Sequence, residues 1–292
     1  MIKYFKEQKE DNVTYSIDKI VIRGKFRHER NDIHENYGDM FYSSLSKCTY
    51  SLDFYKNTSA RNGVYKDNFS FQATDTDTFW LGIGVNAGGK MHFDNWKLEF
   101  NPNKDAKSDV LPFVLEMLQK YSSDWELGDW DIAIDYPVLR ENCFLIKDQR
   151  KYQLVQGSIS DKTEYLGVRH QTGYSKLYNK QKESNLHYPL TRLELTVKGI
   201  CSVSDVEEYI PTVYCIKDLQ LAFEDMNMTG TNRVLLGAIL NEPNLLIELP
   251  RKTREKIECA LEQHTLQLGT NKKALLHIIQ QAQCWCQLQV PK

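Results

Sequence analysis

The stretch WDIAIDYP, residues 130–137, alternates apolar and polar side chains, and that alternation decides the fold. Strand side chains point to opposite faces with period two. Trp130, Ile132 and Ile134 therefore share one face, and Asp131, Ala133 and Asp135 the other. WKLEFNPNK (96–104) repeats the pattern, with Leu98 and Phe100 opposed to Lys97, Glu99 and Asn101. TRLELTVK (191–198) does so again, Leu193, Leu195 and Val197 opposing Arg192, Glu194 and Thr196. A sheet of such strands has one apolar side to be covered and one side that carries carboxylates.

Working outward, residues 14–199 are dominated by segments of the same kind. TYSIDKIVIRGKF (14–26), KCTYSLDFYK (47–56), NFSFQA (68–73), FWLGIGV (79–85), TEYLGVR (163–169) and YSKLYNK (174–180) are expected strands. RNG (61–63) and NAGGK (86–90) are hairpin signals between them. One helix interrupts the series: Ser108 can cap it, Asp109 falls in its first turn, and Val110, Leu111, Val114, Leu115 and Leu118 recur at helical spacing. A helix between two such strands predicts an α+β fold, an antiparallel sheet with helices on one face.

After Gly199 the texture becomes helical. Ser204 and the acidic residues after it are expected to open a helix, and helical patterns follow at about 216–226, 231–240, 252–267 and 271–288. A boundary is therefore placed at 199/200, giving a sheet domain (1–199) and a helical C-terminal segment (200–292). RKTREK (251–256) is a small basic cluster, a solvated helix start with DNA phosphate contact as the alternative.

The 292 residues are 41% hydrophobic and 26% charged, with a formal net charge of −2. No global basic character points to nucleic acid, so any such role must rest on local patches. No apolar run approaches the roughly 18–20 residues that span a bilayer, and MIKYFKEQKEDN lacks the core of a signal peptide. A cytoplasmic protein without membrane contact is expected. Seven cysteines, with only Cys284 and Cys286 close together, match no usual zinc or redox spacing and are expected to be reduced.

TGYSKLYNK (172–180) raises the functional question. As a strand it puts Tyr174, Lys176, Tyr178 and Lys180 on one face. If the strands are neighbours, that face meets Glu99, Asp131 or Asp135, and Glu194. Two or three hard oxygen ligands in a polar site suit Mg²⁺ or Mn²⁺, which would polarise a phosphodiester. A tyrosine there could attack phosphorus and form a covalent phosphotyrosine, with the lysines holding phosphate or lowering the phenol's pKa. The other reading is an ordinary wet face, with Arg192–Glu194 or Lys180–Asp135 as cross-strand pairs.

The order of the motifs adds to this. IDKIVIRGKF, WKLEFNPNK, WDIAIDYPV, TEYLGVRHQTGYSKLYNKQKE and YPLTRLELTVKG resemble, in that sequence, the rolling-circle replication initiators of the trans-acting Rep type. These include plasmid and phage initiators and some relaxases. The resemblance covers residues 14–199. It implies a nicking and joining endonuclease with a fold related to the HUH endonucleases. Such an enzyme stays bound to the 5′ phosphate through tyrosine and leaves a 3′ hydroxyl to prime synthesis.

Carried over, the resemblance makes Tyr178 the nucleophile, with Lys180 beside it and Tyr174 the rival. Glu99, Asp131, Asp135 and Glu194 become the ligands of Mg²⁺ or Mn²⁺, with Glu183 a further acidic candidate. Apart from the resemblance, Arg169, Lys176, Lys180 and Lys182 place four cations within fourteen residues, and with the interleaved Tyr174 and Tyr165 they are the expected DNA contacts, the aromatics suited to stacking unpaired bases. No His-hydrophobic-His motif is present, since His28, His34, His92, His170 and His187 stand apart, so the site is expected to use carboxylates. The implied partners are single-stranded or hairpin origin DNA, a host helicase and a second copy of the chain. Conjugative transfer uses the same cut. A non-catalytic DNA-binding regulator and a nuclease that activates water stay open beside it.

Overall fold

The computed structural model describes residues 8–10, 13–27, 37–47, 54–56, 64–71, 79–87, 90–105, 108, 110–157, 161–216, 230–241, 245–267 and 271–289. In chain order these form β1 (Gln8–Glu10), β2 (Val13–Phe26), α1 (Tyr37–Ser46), β3 (Phe54–Lys56), β4 (Tyr65–Phe71), β5 (Trp80–Ala87) and β6 (Lys90–Phe100). Then come α2 (Val110–Tyr121), β7 (Ser122–Tyr136), β8 (Cys143–Leu145), β9 (Tyr152–Gln156), β10 (Lys162–Leu166) and β11 (Ser175–Asn179). The remainder is α3 (Lys180–Glu183), β12 (Thr191–Lys198), α4 (Val203–Tyr209), β13 (Val213–Ile216), α5 (Gly230–Asn241), α6 (Leu245–Glu248), α7 (Arg251–His264), β14 (Thr265–Gln267) and α8 (Lys272–Gln289).

The chain is an α+β protein built on a large antiparallel sheet. Among the described residues its strand order is β3-β4-β5-β6-β2-β7-β12-β11-β10-β9, with β1 beside β2. The alternation read from sequence places the side chains as expected. Leu98, Phe100, Trp130, Ile132, Ile134, Leu193, Leu195 and Val197 are all buried in one apolar cluster. Phe41 and Leu45 of α1, Leu111, Val114 and Leu118 of α2, and Leu275, Ile278 and Ile279 of α8 join the same cluster. The helices thus cover one face of the sheet, and burial of these side chains is the main source of its stability. The opposite face carries Lys97 and Glu99 of β6, Asp131 and Asp135 of β7, and Arg192 and Glu194 of β12.

Ser108 caps α2, its Oγ accepting from the amides of Val110 and Leu111 at 3.2 and 3.1 Å. The expected cap at Ser204 is corrected to Ser202. Its Oγ accepts from the Asp205 amide at 3.2 Å, and Asp205 accepts from the Ser202 amide at 2.8 Å, a reciprocal capping box. The helical pattern at 252–267 ends at His264, because residues 265–267 pair with β13 as a strand. α1, β8 and β9 were not among the expected elements. Asp109, the 61–63 turn, most of the 47–56 strand, residues 217–226, His28, His34 and Cys48 lie outside the described residues.

After Gly199, α8 packs Leu275, Ile278 and Ile279 into the sheet's apolar cluster, and β13 and β14 form with β8 a second, three-stranded sheet in the order β14-β13-β8. β13 pairs with β8, setting Cys215 opposite Cys143, and both are buried thiols outside any disulfide. Arg150 donates to the carbonyls of Gly173 and Tyr209 at 2.6 and 2.7 Å, tying the β10–β11 hairpin to α4. Phe144 of β8 forms a second apolar cluster with Leu236, Ile239, Leu246 and Ile257. Among the described residues no helix is long and apolar enough to cross a membrane.

Candidate nucleophile and adjoining cleft

Strand registry lines up the polar face in rows. Asp135 of β7 stands opposite Arg192 of β12, which stands opposite Tyr178 of β11. The next row runs Ala133, Glu194, Lys176, Tyr165 and Gln153. A third holds Lys19, Asp131 and Thr196.

Tyr178 is 5% exposed. Its hydroxyl donates to Glu194 Oε1 at 2.5 Å, and Glu183 Oε2 lies 3.2 Å from the same oxygen. The Lys176 ammonium stands 3.7 Å from the centre of the Tyr178 ring and that of Lys180 at 5.9 Å. Lys180 itself pairs with Glu183. The lysines do not lower the phenol's pKa as expected. Burial pushes it far above the ordinary phenol range, and the charge of Glu194 and the bond to it push the same way. Burial likewise raises the Glu194 carboxyl above its ordinary value, against the opposing pull of Lys176. The pair is a protonated phenol whose proton already points at a carboxylate unusually ready to accept it.

The expected carboxylates share the face but have separate partners. Asp135 holds Arg192 through two bonds of 2.6 and 2.7 Å. Asp131 pairs with Lys19 at 2.5 Å and accepts from the Thr196 hydroxyl at 2.7 Å. Glu99 pairs with Lys97 at 3.2 Å, on the far side of β2. Of the four, only Glu194 touches Tyr178. Among the described residues no three His, Cys, Asp or Glu side chains are grouped to hold a metal ion. The four carboxylates as arranged do not fit a divalent cation.

Two participants escaped the sequence reading. Between Ile17 and Lys19 the β2–β7 register shifts by one residue, and such a bulge sends adjacent residues to the same side. Asp18 consequently reaches Arg192 at 2.6 Å while Lys19 reaches Asp131. Strict alternation puts these two on opposite faces, so nothing in the pattern of β2 announces them.

Next to Glu194 the face opens into a cleft of about 640 Å³. Tyr165 and Tyr174 stack along its wall, ring centres 6.0 Å apart and planes 18° from parallel. Lys19, Lys151, Arg169 and Lys176 supply cations, and Asp129, Asp131 and Glu194 carboxylates. His170 lines it from the hairpin at φ 66°, an exposed ring held in a backbone conformation uncommon for a residue with a Cβ. Gly173 fixes that hairpin: its φ is 88°, and a Cβ there would come within 2.4 Å of the Tyr209 ring. Of the DNA contacts expected, Tyr165, Tyr174, Arg169 and Lys176 line the cleft. Lys182 lies off it, paired with Asp161 at 2.5 Å, and Tyr178 and Lys180 stand behind Glu194 rather than in the wall.

No family model and no curated protein matches the chain. Among solved structures, a rolling circle replication initiator protein from Geobacillus stearothermophilus aligns over 93% of this chain and 97% of its own, at 10% identity and a TM-score of 0.39. A likeness of that size transfers neither residues nor chemistry.

Proposed function

We propose that the chain nicks and joins single-stranded DNA at a replication origin, with Tyr178 as the attacking group. The observation that carries the reading is the Tyr178–Glu194 bond of 2.5 Å at the margin of an aromatic, cationic cleft. In the step proposed, Glu194 takes the phenol proton as the phenolic oxygen attacks phosphorus. The bond from phosphorus to the 3′ oxygen breaks, and that oxygen leaves as a hydroxyl after taking a proton from solvent. The 5′ phosphate stays on Tyr178, and the reverse reaction rejoins the strand. Lys176, above the ring and 3.9 Å from Glu194, offsets the charge that builds there. Lys180 is assigned to the phosphate, released from Glu183 when substrate enters.

A requirement for Mg²⁺ or Mn²⁺ is a separate part of the proposal. It needs carboxylates freed from their present partners, Asp131 from Lys19 and Asp135 from Arg192. The helical segment after Gly199 is proposed to recognise the origin or a second copy of the chain, and conjugative transfer would use the same site.

The test is incubation with a 3′-labelled single-stranded DNA library and Mn²⁺ or Mg²⁺, followed by a denaturing gel. Label migrating with the protein supports the reading, and repetition with a chelator settles the metal. Cleavage without an adduct would indicate a nuclease that activates water. The separate partners of Asp131, Asp135 and Glu99 favour one second reading, a DNA-binding regulator on the same fold. Binding with neither cleavage nor adduct would establish it.

A further inference from the structure

The open face continues past the first cleft. A second cleft, also of about 640 Å³, is lined by residues of β2, β4, β5, β6 and β7, among them Trp96 and Trp125 of the apolar cluster. Arg23 lines it and reaches Asp129, which lines the first cleft, at 3.2 Å. The two depressions therefore adjoin across one ion pair. Arg23 follows Lys19 by four residues on β2, a spacing of about 13 Å at roughly 3.3 Å per residue.

The chemistry of the first cleft recurs here. Tyr65 forms part of the wall and meets the buried Trp80 ring edge-on at 5.0 Å, and the Lys97 ammonium stands 5.7 Å from the centre of that indole. Trp80 pairs in register with Glu99, so it belongs to the open face, and its ring is no part of the helix-covered core. Half-buried Tyr65 lies within the field of Arg23. Lys25 stands opposite Asn95 across β2 and β6. Asp124 and Glu126 balance Arg23 and Lys25 in the lining, which makes the cleft close to neutral. That balance suits the uncharged face of a nucleobase, with phosphates meeting the cations at the rim.

We infer that this cleft is a second base-stacking subsite, in which Tyr65 holds an unpaired base of the same strand that occupies the first cleft. The inference rests on the proposal that the first cleft takes single-stranded DNA. The two subsites fix the path of the strand across the sheet, from the hairpin side to β4.

Binding of fluorescent oligothymidylates of 6 and 16 nucleotides tests it. Tyr65→Ala is expected to weaken the long oligonucleotide roughly 5- to 150-fold, the stacking contribution of one base, and to leave the short one unchanged. Tyr65→Phe retains the stack and binds the long one as the parent does. Lys25→Glu, at an exposed position, weakens the long oligonucleotide and flattens its salt dependence, and it decides the matter should Tyr65→Ala not fold. Equal behaviour of parent, Tyr65→Ala and Lys25→Glu with the long oligonucleotide overturns the second subsite. In that case weaker binding of both lengths by Tyr174→Ala would leave the first cleft standing. Failure of the parent chain to bind either length overturns both.

Discussion

Tyr174, just ahead of β11, and Tyr178 within it share a face, yet they are opposite kinds of phenol. Tyr178 is buried, bonded to Glu194 and crossed by Lys176. Tyr174 is half-exposed, stacked on Tyr165 and part of the cleft wall. Period two makes the pair equivalent in sequence; the neighbouring strand distinguishes them, since Glu194 of β12 reaches only one of them. One end of the strand is arranged to move a proton, the other to hold a flat ring.

The sharpest way to break that contrast is to remove each hydroxyl in turn. Tyr178→Phe is expected to reduce the covalent adduct to background on the denaturing gel, because the attacking oxygen is gone. Tyr174→Phe, which keeps its stack, is expected to form the adduct within about threefold of the parent. The reverse result would move the nucleophile to Tyr174 and make Tyr178 a packing residue.

Glu194→Gln comes next. Loss of a positioned general base typically costs about 10²–10⁴-fold, and adduct formation should slow by at least the lower figure. The ionised carboxylate is needed, so the parent's rate should fall as pH drops through a pKa above the ordinary 4.5. Stability moves the other way. A carboxyl whose pKa is raised on folding favours the native state below the unfolded pKa, and that contribution is lost as pH rises through the folded one. Glu194→Gln should therefore be no less stable than the parent at neutral pH in urea, and any advantage should vanish near pH 4. A variant that is inactive because it is unfolded would break the assignment.

How much of this was legible follows from the same residues. Alternation alone tells which side of β6, β7 and β12 enters the core, because apolar residues hold every second position over 96–100, 130–134 and 193–197. It could not tell which carboxylates meet. That depends on strand order and register, which bring Glu194 to Tyr178 while giving Asp135 to Arg192. Nor could it find Asp18, since a bulge has no sequence mark in IDKIV. The pair of Arg140 and Glu164 was invisible for a related reason. The two are 0% and 1% exposed and 2.5 Å apart, but they come from separate segments joined only by the fold. Local spacing carries the faces of this protein, and pairings made across strands carry its site.

Smaller effects belong to the cleft. Tyr174→Ala and Tyr165→Ala each remove a stacking surface, and affinity for single-stranded DNA should fall about tenfold, within the range for one stacked base. The rate of adduct formation at saturating DNA should stay near that of the parent. A loss of rate without a loss of affinity would place these rings in the chemistry rather than in binding.

The smallest expected effect tests the boundary of the cleft. Lys182 is two residues from Lys180, and its place in the cation cluster of the sequence predicts a DNA contact beside Lys176. It instead pairs with Asp161, both side chains well exposed, while Lys176 lies against Tyr178 and Glu194. Exposed pairs of this kind contribute about 0–1 kcal/mol to stability, so Lys182→Ala should leave folding nearly unchanged. DNA affinity should change less than about twofold, because Lys182 lies off the cleft lining, whereas a lost phosphate contact would lower the slope of affinity against salt by about one. A slope reduced by one in Lys182→Ala would extend the DNA path over α3 and past the edge of the cleft. An unchanged slope, beside a reduced one in Lys176→Ala, would confine the strand to the sheet face and leave α3 as the support that holds Glu183 and Lys180 beside the phenol.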